Sequence, residues 1–220
     1  MSDLIVFGTG DVAQLADFYF GNDSDSRVVA FTVDGALLKQ DSFCGKPVVP
    51  FEEISQRYPA NRHAFFAAVG YTKLNKVRAE KVAVARSQGY RIASYVSSKA
   101  TVFSDFKIGE NVFILEDNTI QPFTRIGNNV TLWSGNHIGH HSVIEDDCFI
   151  TSHVVVSGGV RIGAGTFVGV NVTIRDRVQI GQRCVLGAGS LILSDAPDES
   201  VFSPGATERS KVPSSRLRGI

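Results

Sequence analysis

The sequence has no excess of charge, no pattern of paired cysteines and no long apolar run. Its 22 Lys and Arg residues are matched by 22 Asp and Glu, so it lacks the basic surplus that a nucleic-acid partner would want. Only three cysteines occur, Cys44, Cys148 and Cys184. Their odd number and wide spacing argue against a CxxC metal knuckle and a disulfide framework, and free thiols suit a reducing compartment. No apolar stretch approaches the roughly 18 residues that a transmembrane helix needs. The opening segment from Met1 to Gly8 has no basic region and reaches glycine too early for a signal peptide. These absences lead to the expectation of a cytoplasmic protein without membrane insertion or a nucleic-acid partner.

What is present is a repeat. From Val102 onward an aliphatic residue falls on every sixth position, through Ile108, Ile114, Ile120 and so on to Ile192, sixteen in register without insertion. Glycine follows the anchor at positions 109, 127, 139, 163, 169, 181 and 187. Four residues past the anchor a Val or small residue recurs, as at Val112, Cys148 and Cys184. A period of six is neither the 2 of a strand nor the 3.6 of a helix. It predicts a β-helix whose coils have three short sides, with each anchor pointing inward onto the anchor 18 residues later. Glycine is expected to relax the backbone at the corners. One coil cannot bury its anchors, whereas about five stacked coils can.

The residues before the repeat read differently. Strands are predicted at Leu4–Phe7, Arg27–Val33, Pro47–Pro50, Ala64–Val69 and Tyr90–Tyr95. Helices are predicted from the first glycine turn to about Phe20, over Phe51–Tyr58 and over Lys73–Gln88. The alternation implies a small Rossmann-like parallel sheet. The expected organisation is therefore an α/β domain over residues 1–98 and a β-helix with a C-terminal tail over residues 99–220.

Two groups of residues carry chemistry. Gly8-x-Gly10-x-x-Ala13 follows a strand and opens a helix, the setting in which backbone N–H groups of Gly8, Gly10 and Asp11 can meet a diphosphate. Asp34 ends the second strand, where it can accept from a ribose hydroxyl. A tight turn without any ligand would read the same way, and the unit is short for an NAD fold. The second group is His137, His140, His141 and His153, four of the five histidines within 17 residues. None takes an inward register position, and imidazole is the natural general base near neutral pH. Any one of them also suits a solvated corner.

Through Ile138-Gly-His-His-Ser-Val-Ile144, Val156-Ser-Gly-Gly-Val-Arg-Ile-Gly163 and Phe167-Val-Gly-Val-Asn171, the chain resembles the hexapeptide-repeat nucleotide-sugar acyltransferases. These are of the bacillosamine/perosamine N-acetyltransferase and sialic acid O-acetyltransferase type. The resemblance spans nearly the whole chain. It implies a left-handed β-helix, a homotrimer, acetyl-CoA in a groove between neighbouring β-helices, and a first domain that holds the nucleotide of the acceptor sugar. It also implies a place in surface polysaccharide biosynthesis. By position in the motif the general base falls on His140, with His137 and His141 as rivals. Direct transfer is implied, with a backbone N–H near Gly158 or Gly159 on the oxyanion and with Gly169 and Asn171 in the cofactor groove. Cys148 and Cys184, at inward positions, offer no acyl-enzyme nucleophile.

The chain departs from that family in three places. His141 stands where Glu is common, so Glu145, Asp146 or a backbone carbonyl is expected to orient His140. Trp133 stands where amino-sugar members have Asn, which bears on the acceptor sugar. Ser203-Pro-Gly-Ala206 replaces a Gly-x-Pro-Ala turn. Exposed Trp133, Phe149 and Phe167 are expected to serve the trimer contact. The basic tail, Arg209-Ser-Lys211 and Arg216-Leu-Arg218, suits either the phosphates of CoA or a solvated end. The expected activity is acetyl-CoA-dependent N-acetylation of a nucleotide-linked amino-deoxy sugar without a metal, with O-acylation as the alternative. Two remoter alternatives are a β-helix zinc hydrase, which needs three histidines around one metal, and a non-catalytic nucleotide-sugar sensor.

Overall fold

A computed structural model describes residues 2–103 and 106–216. The first part is a parallel sheet of β1 (Ser2–Phe7), β2 (Ser26–Val33), β4 (Lys46–Pro50), β5 (His63–Ala67) and β6 (Arg91–Ile92), with β3 (Ser42–Phe43) antiparallel on the β4 edge. The order is β3-β4-β2-β1-β5-β6. The central strand β1 is covered on both faces, which is why Leu4, Ile5 and Val6 form an unbroken apolar run. Helix α1 (Asp11–Asn22) buries Ala13, Ala16 and Phe20, a helical stripe. A short 3-10 turn leads into α2 (Ile54–Arg57). Helix α3 (Lys76–Ser87) starts later than the sequence suggests. Lys73, Leu74 and Asn75 all take left-handed φ angles (53°, 50° and 67°), which no right-handed helix can include.

The strand expected over Tyr90–Tyr95 is divided between two sheets. Arg91–Ile92 pairs with β5, whereas Tyr95–Val96 pairs with Phe113–Ile114 and opens the β-helix. The β-helix pairing thus begins a few residues before the expected boundary at 98/99.

The second part is a left-handed parallel β-helix with two-residue strands on three walls. Among the described residues, the first wall has seven strands, from Tyr95–Val96 to Val201–Phe202. The second has six, from Thr101–Val102 to Leu191–Ile192, and the third five, from Lys107–Ile108 to Gln179–Ile180. Every rung repeats the 18-residue register, as in Phe113, Thr131, Phe149 and Phe167. The anchors from Ile114 to Ile192 form one buried core. Ile108 is the exception at 38% exposed, because its strand ends the third wall.

The corner glycines act differently from expectation. Those after the anchors have no positive φ; the left-handed corners fall three residues past the anchor, at Asn111, Phe123, Asn129, His141 and their equivalents. The post-anchor glycines are small because the next coil is close. A Cβ on Gly139 would come within 2.6 Å of the Ser157 carbonyl carbon.

The two parts are joined by polar contacts along the first wall and its edges. Arg78 of α3 is fully buried and donates to the Asn129 side chain (2.8 Å), the Asn129 carbonyl (2.7 Å) and Thr131 Oγ1 (3.0 Å). Burial lowers its guanidinium to about 10, which leaves it charged at neutral pH. Asp23 accepts from the Tyr95 hydroxyl and the Ser98 N–H. Tyr71 lies 5.2 Å from the Phe149 ring and 4.7 Å from that of Phe167. Phe149 is therefore 2% exposed, while Phe167 and Trp133 are half-buried. The apolar residues expected to face a neighbouring subunit are covered by the chain's own first domain. Among the described residues, no helix is long and apolar enough to cross a membrane.

Candidate active site

The edge between the second and third walls carries the histidines. His137 lies outward on the second wall, in the strand His137–Ile138, between Thr119 and Val155. His140 and His141 follow at the edge, both exposed. The His140 backbone N–H donates to Gln121 Oε1 (2.9 Å). Its ring lies over Gly158 one coil on, where a Cβ would come 2.7 Å from both Cε1 and Nε2. Glycine at 158 thus makes room for the imidazole. His141 takes the left-handed corner at φ 59°. Its N–H donates to the Pro122 carbonyl and its ring rests on Phe123, centroids 4.7 Å apart. The Nδ1 atoms of His140 and His141 are 3.1 Å apart, with the rings nearly perpendicular at 87°.

The expected orienting acids are engaged elsewhere. Glu145 pairs with Arg161 and accepts from the Ala164 N–H; Asp146 accepts from the Asn128 N–H and side chain. The expected oxyanion donors are also taken. The Gly158 N–H donates to Asp176 (3.0 Å) and the Gly159 N–H to the His140 carbonyl (2.8 Å). The Gly159 bond belongs to the backbone ladder that stacks successive coils, and the Gly158 N–H is capped by a side-chain carboxylate one coil on.

His153 sits at the far side of the second wall, on the edge shared with the first, its ring over Gly135. Asn171 occupies the next corner of that edge, and Gly169 packs against the backbone of Leu186 and Ala188. Arg209 and Lys211 are exposed beyond the last strand; Arg218 lies outside the described residues. Cys148 is fully buried, and desolvation pushes its thiol up to about 12, which removes it as a nucleophile. Among the described residues, no three side chains of metal-ligating type converge. Trp133 packs into the core of the first domain, its indole N–H buried without a partner among the described residues.

The glycine turn lies at the carboxyl edge of the sheet. Gly8 has φ 123°, and a Cβ there would come 2.6 Å from the Ala68 carbonyl oxygen, so the backbone itself demands glycine. Among the described residues, nothing lies within 4 Å of a would-be Cβ on Gly10. Gly10 caps α1 in an extended conformation with no side-chain cap bond, which leaves helix N–H groups open beside a free approach. Thr9, Val33, Leu37, Leu38 and Val48 line an adjacent recess of about 210 Å³. Asp34 is ion-paired with Lys81, whose ammonium sits 5.1 Å and 4.9 Å from the Phe7 and Phe51 ring centroids. Asp11, in the first turn of α1, is exposed.

Sequence reasoning missed Gln121, Phe123 and Asp176, which pin the histidine edge from the coils before and after it. The 18-residue register was the available signal: each stacks one coil from the segment 139–141 or from Gly158. Arg78 was also missed, although it interrupts the inward stripe it shares with Val82 and Ala85.

The family model for the GMPPB C-terminal domain matches residues 91–194. Among curated proteins, none matches the sequence. Among solved structures, the chain is similar to a histidine-to-asparagine variant of perosamine N-acetyltransferase from Caulobacter crescentus in complex with CoA and GDP-perosamine. That match has 21% identity over 91% of this chain and 93% of the other, with a TM-score of 0.80. It is similar to the acetyltransferase domain of PglB from Neisseria gonorrhoeae in complex with acetyl coenzyme A (20% identity, 90% and 94% covered, TM-score 0.79). WeeI from Acinetobacter baumannii is similar at 19% identity, with 91% and 96% covered and a TM-score of 0.69. The chain therefore has the fold of these proteins, a parallel-sheet domain followed by a left-handed parallel β-helix.

Proposed function

We propose that this protein is an acetyl-CoA-dependent N-acetyltransferase that acts on the amino group of a nucleotide-linked amino-deoxy sugar. The observation that carries the reading is His140. It is an exposed imidazole whose ring is accommodated by a glycine one coil on, at an edge of the fold that the Caulobacter perosamine N-acetyltransferase shares. That protein was crystallised with CoA and GDP-perosamine as histidine-to-asparagine and histidine-to-alanine variants. The uncapped start of α1, with open space at Gly10 and the recess beside Thr9, suits the diphosphate and base of the acceptor.

In this reading the acceptor amine attacks the thioester carbonyl carbon. His140 Nε2 takes the amine proton as the N–C bond forms. The C–S bond then breaks, and the CoA thiolate leaves with the proton that His140 returns. No protein nucleophile takes part. The acyl donor lies along the edge at His140, beside an open groove of about 540 Å³ on the third wall whose lining includes Arg125, Val143 and Glu145. Three copies assemble through the second wall and its edges, where Val155, Val170, Leu191 and Leu193 are exposed.

Thiol release from acetyl-CoA, measured with a panel of nucleotide-linked amino and hydroxy sugars, tests the reading. Release only with amino sugars supports N-acetylation. Release only with hydroxyl acceptors overturns it in favour of O-acylation, and no release despite acceptor binding leaves a sensor.

A further inference from the structure

We infer that His141 is a positioning residue that sets the tautomer of His140 through the Nδ1–Nδ1 hydrogen bond, a neutral imidazole serving where a carboxylate would ordinarily sit. The inference rests on the reading of His140 as the base. Two like ring nitrogens 3.1 Å apart form a bond only when one carries a proton and the other does not. With both rings neutral, they therefore hold opposite tautomers. If His140 donates from Nδ1, its Nε2 is unprotonated over Gly158 and can receive a proton. His141 then carries its own proton on Nε2, toward solvent. An acceptor N–H arriving at His140 Nε2 selects this arrangement over the reverse one.

The surroundings fit that role. His141 is held by its left-handed backbone, by the Pro122 carbonyl and by Phe123, so its Nδ1 is aimed rather than free to wander. The nearby carboxylates are committed: Glu145 to Arg161 and Ala164, Asp146 to Asn128, and Asp176 to Gly158. Among the described residues, His141 is the side-chain hydrogen-bond partner of the His140 ring. When His140 takes the amine proton, its Nδ1–H stays on His141, and the imidazolium passes the Nε2 proton to the leaving thiolate. The left-handed corner also indicates the rescuing substitution. Asn, like His, tolerates φ near 59° better than most non-glycine residues, and its Oδ1 takes about the place of the imidazole Nδ1.

The test is nitrogen-15 NMR of the imidazoles in the full-length protein at pH 8 with CoA and a nucleotide-linked amino sugar bound, using two-bond nitrogen–proton correlations, with kinetics in parallel. Wild type and His141→Asn should show His140 protonated on Nδ1, and His141→Ala should move it toward the Nε2–H form. His141→Ala should lower kcat about 10- to 100-fold, a loss of the size seen when the orienting partner of a metal-bound imidazole is removed. The KM for acetyl-CoA should hold, and His141→Asn should recover most of the rate. A wild-type His140 protonated on Nε2, or a His141→Ala variant with unchanged tautomer and rate, overturns the inference. Coupled tautomers in a protein whose rate ignores His140→Ala would refute the base assignment while leaving the pair intact.

Discussion

Replacing Gly158 by Ala isolates the placement of the base from its chemistry. The new Cβ would stand 2.7 Å from Cε1 and Nε2 of His140. Carbon contacts settle near 3.5 Å, so the ring must retreat by roughly 0.8 Å or rotate away. A misplacement of about 1 Å at a reacting group can cost on the order of 10²-fold in rate, within the roughly 10²–10⁴-fold that full removal of a general base costs. The fold should tolerate the change, because Gly158 has no left-handed φ and the displaced ring is exposed. The assay is kcat at saturating acetyl-CoA, with Tm and acetyl-CoA affinity measured on the same preparation. Gly159→Ala is the control. Its φ of 70° makes alanine strained, but the added Cβ would meet only Arg177 Cγ at 3.4 Å, so it should lose stability and keep kcat. A Gly158→Ala enzyme with wild-type kcat, or equal catalytic loss in both variants, would refute the reasoning.

Three further outcomes follow from the geometry. Gly10→Val should fold normally and bind nucleoside diphosphates more weakly by calorimetry, whereas Gly8→Val should lower Tm sharply because its Cβ overlaps the Ala68 carbonyl. Arg78→Met leaves the Asn129 and Thr131 groups of the domain interface without their donor, and urea unfolding should show a loss of about 1–3 kcal/mol for each group left unsatisfied. Hydrogen bonds from Ser98 and Tyr95 lower Asp23 from 3.8 to about 2. Its contribution is therefore full above pH 4 and lost as pH falls toward 2. Acid unfolding followed by tyrosine fluorescence should lose part of that limb in Asp23→Asn.

The β-helix was legible because a six-residue period belongs to no other regular structure, and the buried anchors follow from it. The role of the corner glycines was not legible, since distances between coils leave no trace in the spacing. Trp133, Phe149 and Phe167 read as outward-facing, which is correct for a lone β-helix. What covers them is a first domain docked through Tyr71 and Arg78, a long-range contact outside the repeat pattern. Gly158 was singled out for its N–H, yet its missing side chain is what the histidine uses. Glu145 and Asp146 stood near His140 in sequence but bond along other edges of the coil. The partner that reaches the His140 ring is the adjacent histidine.

The most direct test of the account is kcat for His140→Ala against wild type on one nucleotide-linked amino sugar, with acetyl-CoA affinity measured alongside. The account predicts a fall of about 10²–10⁴-fold in kcat with affinity unchanged. A variant that turns over at the wild-type rate would contradict it.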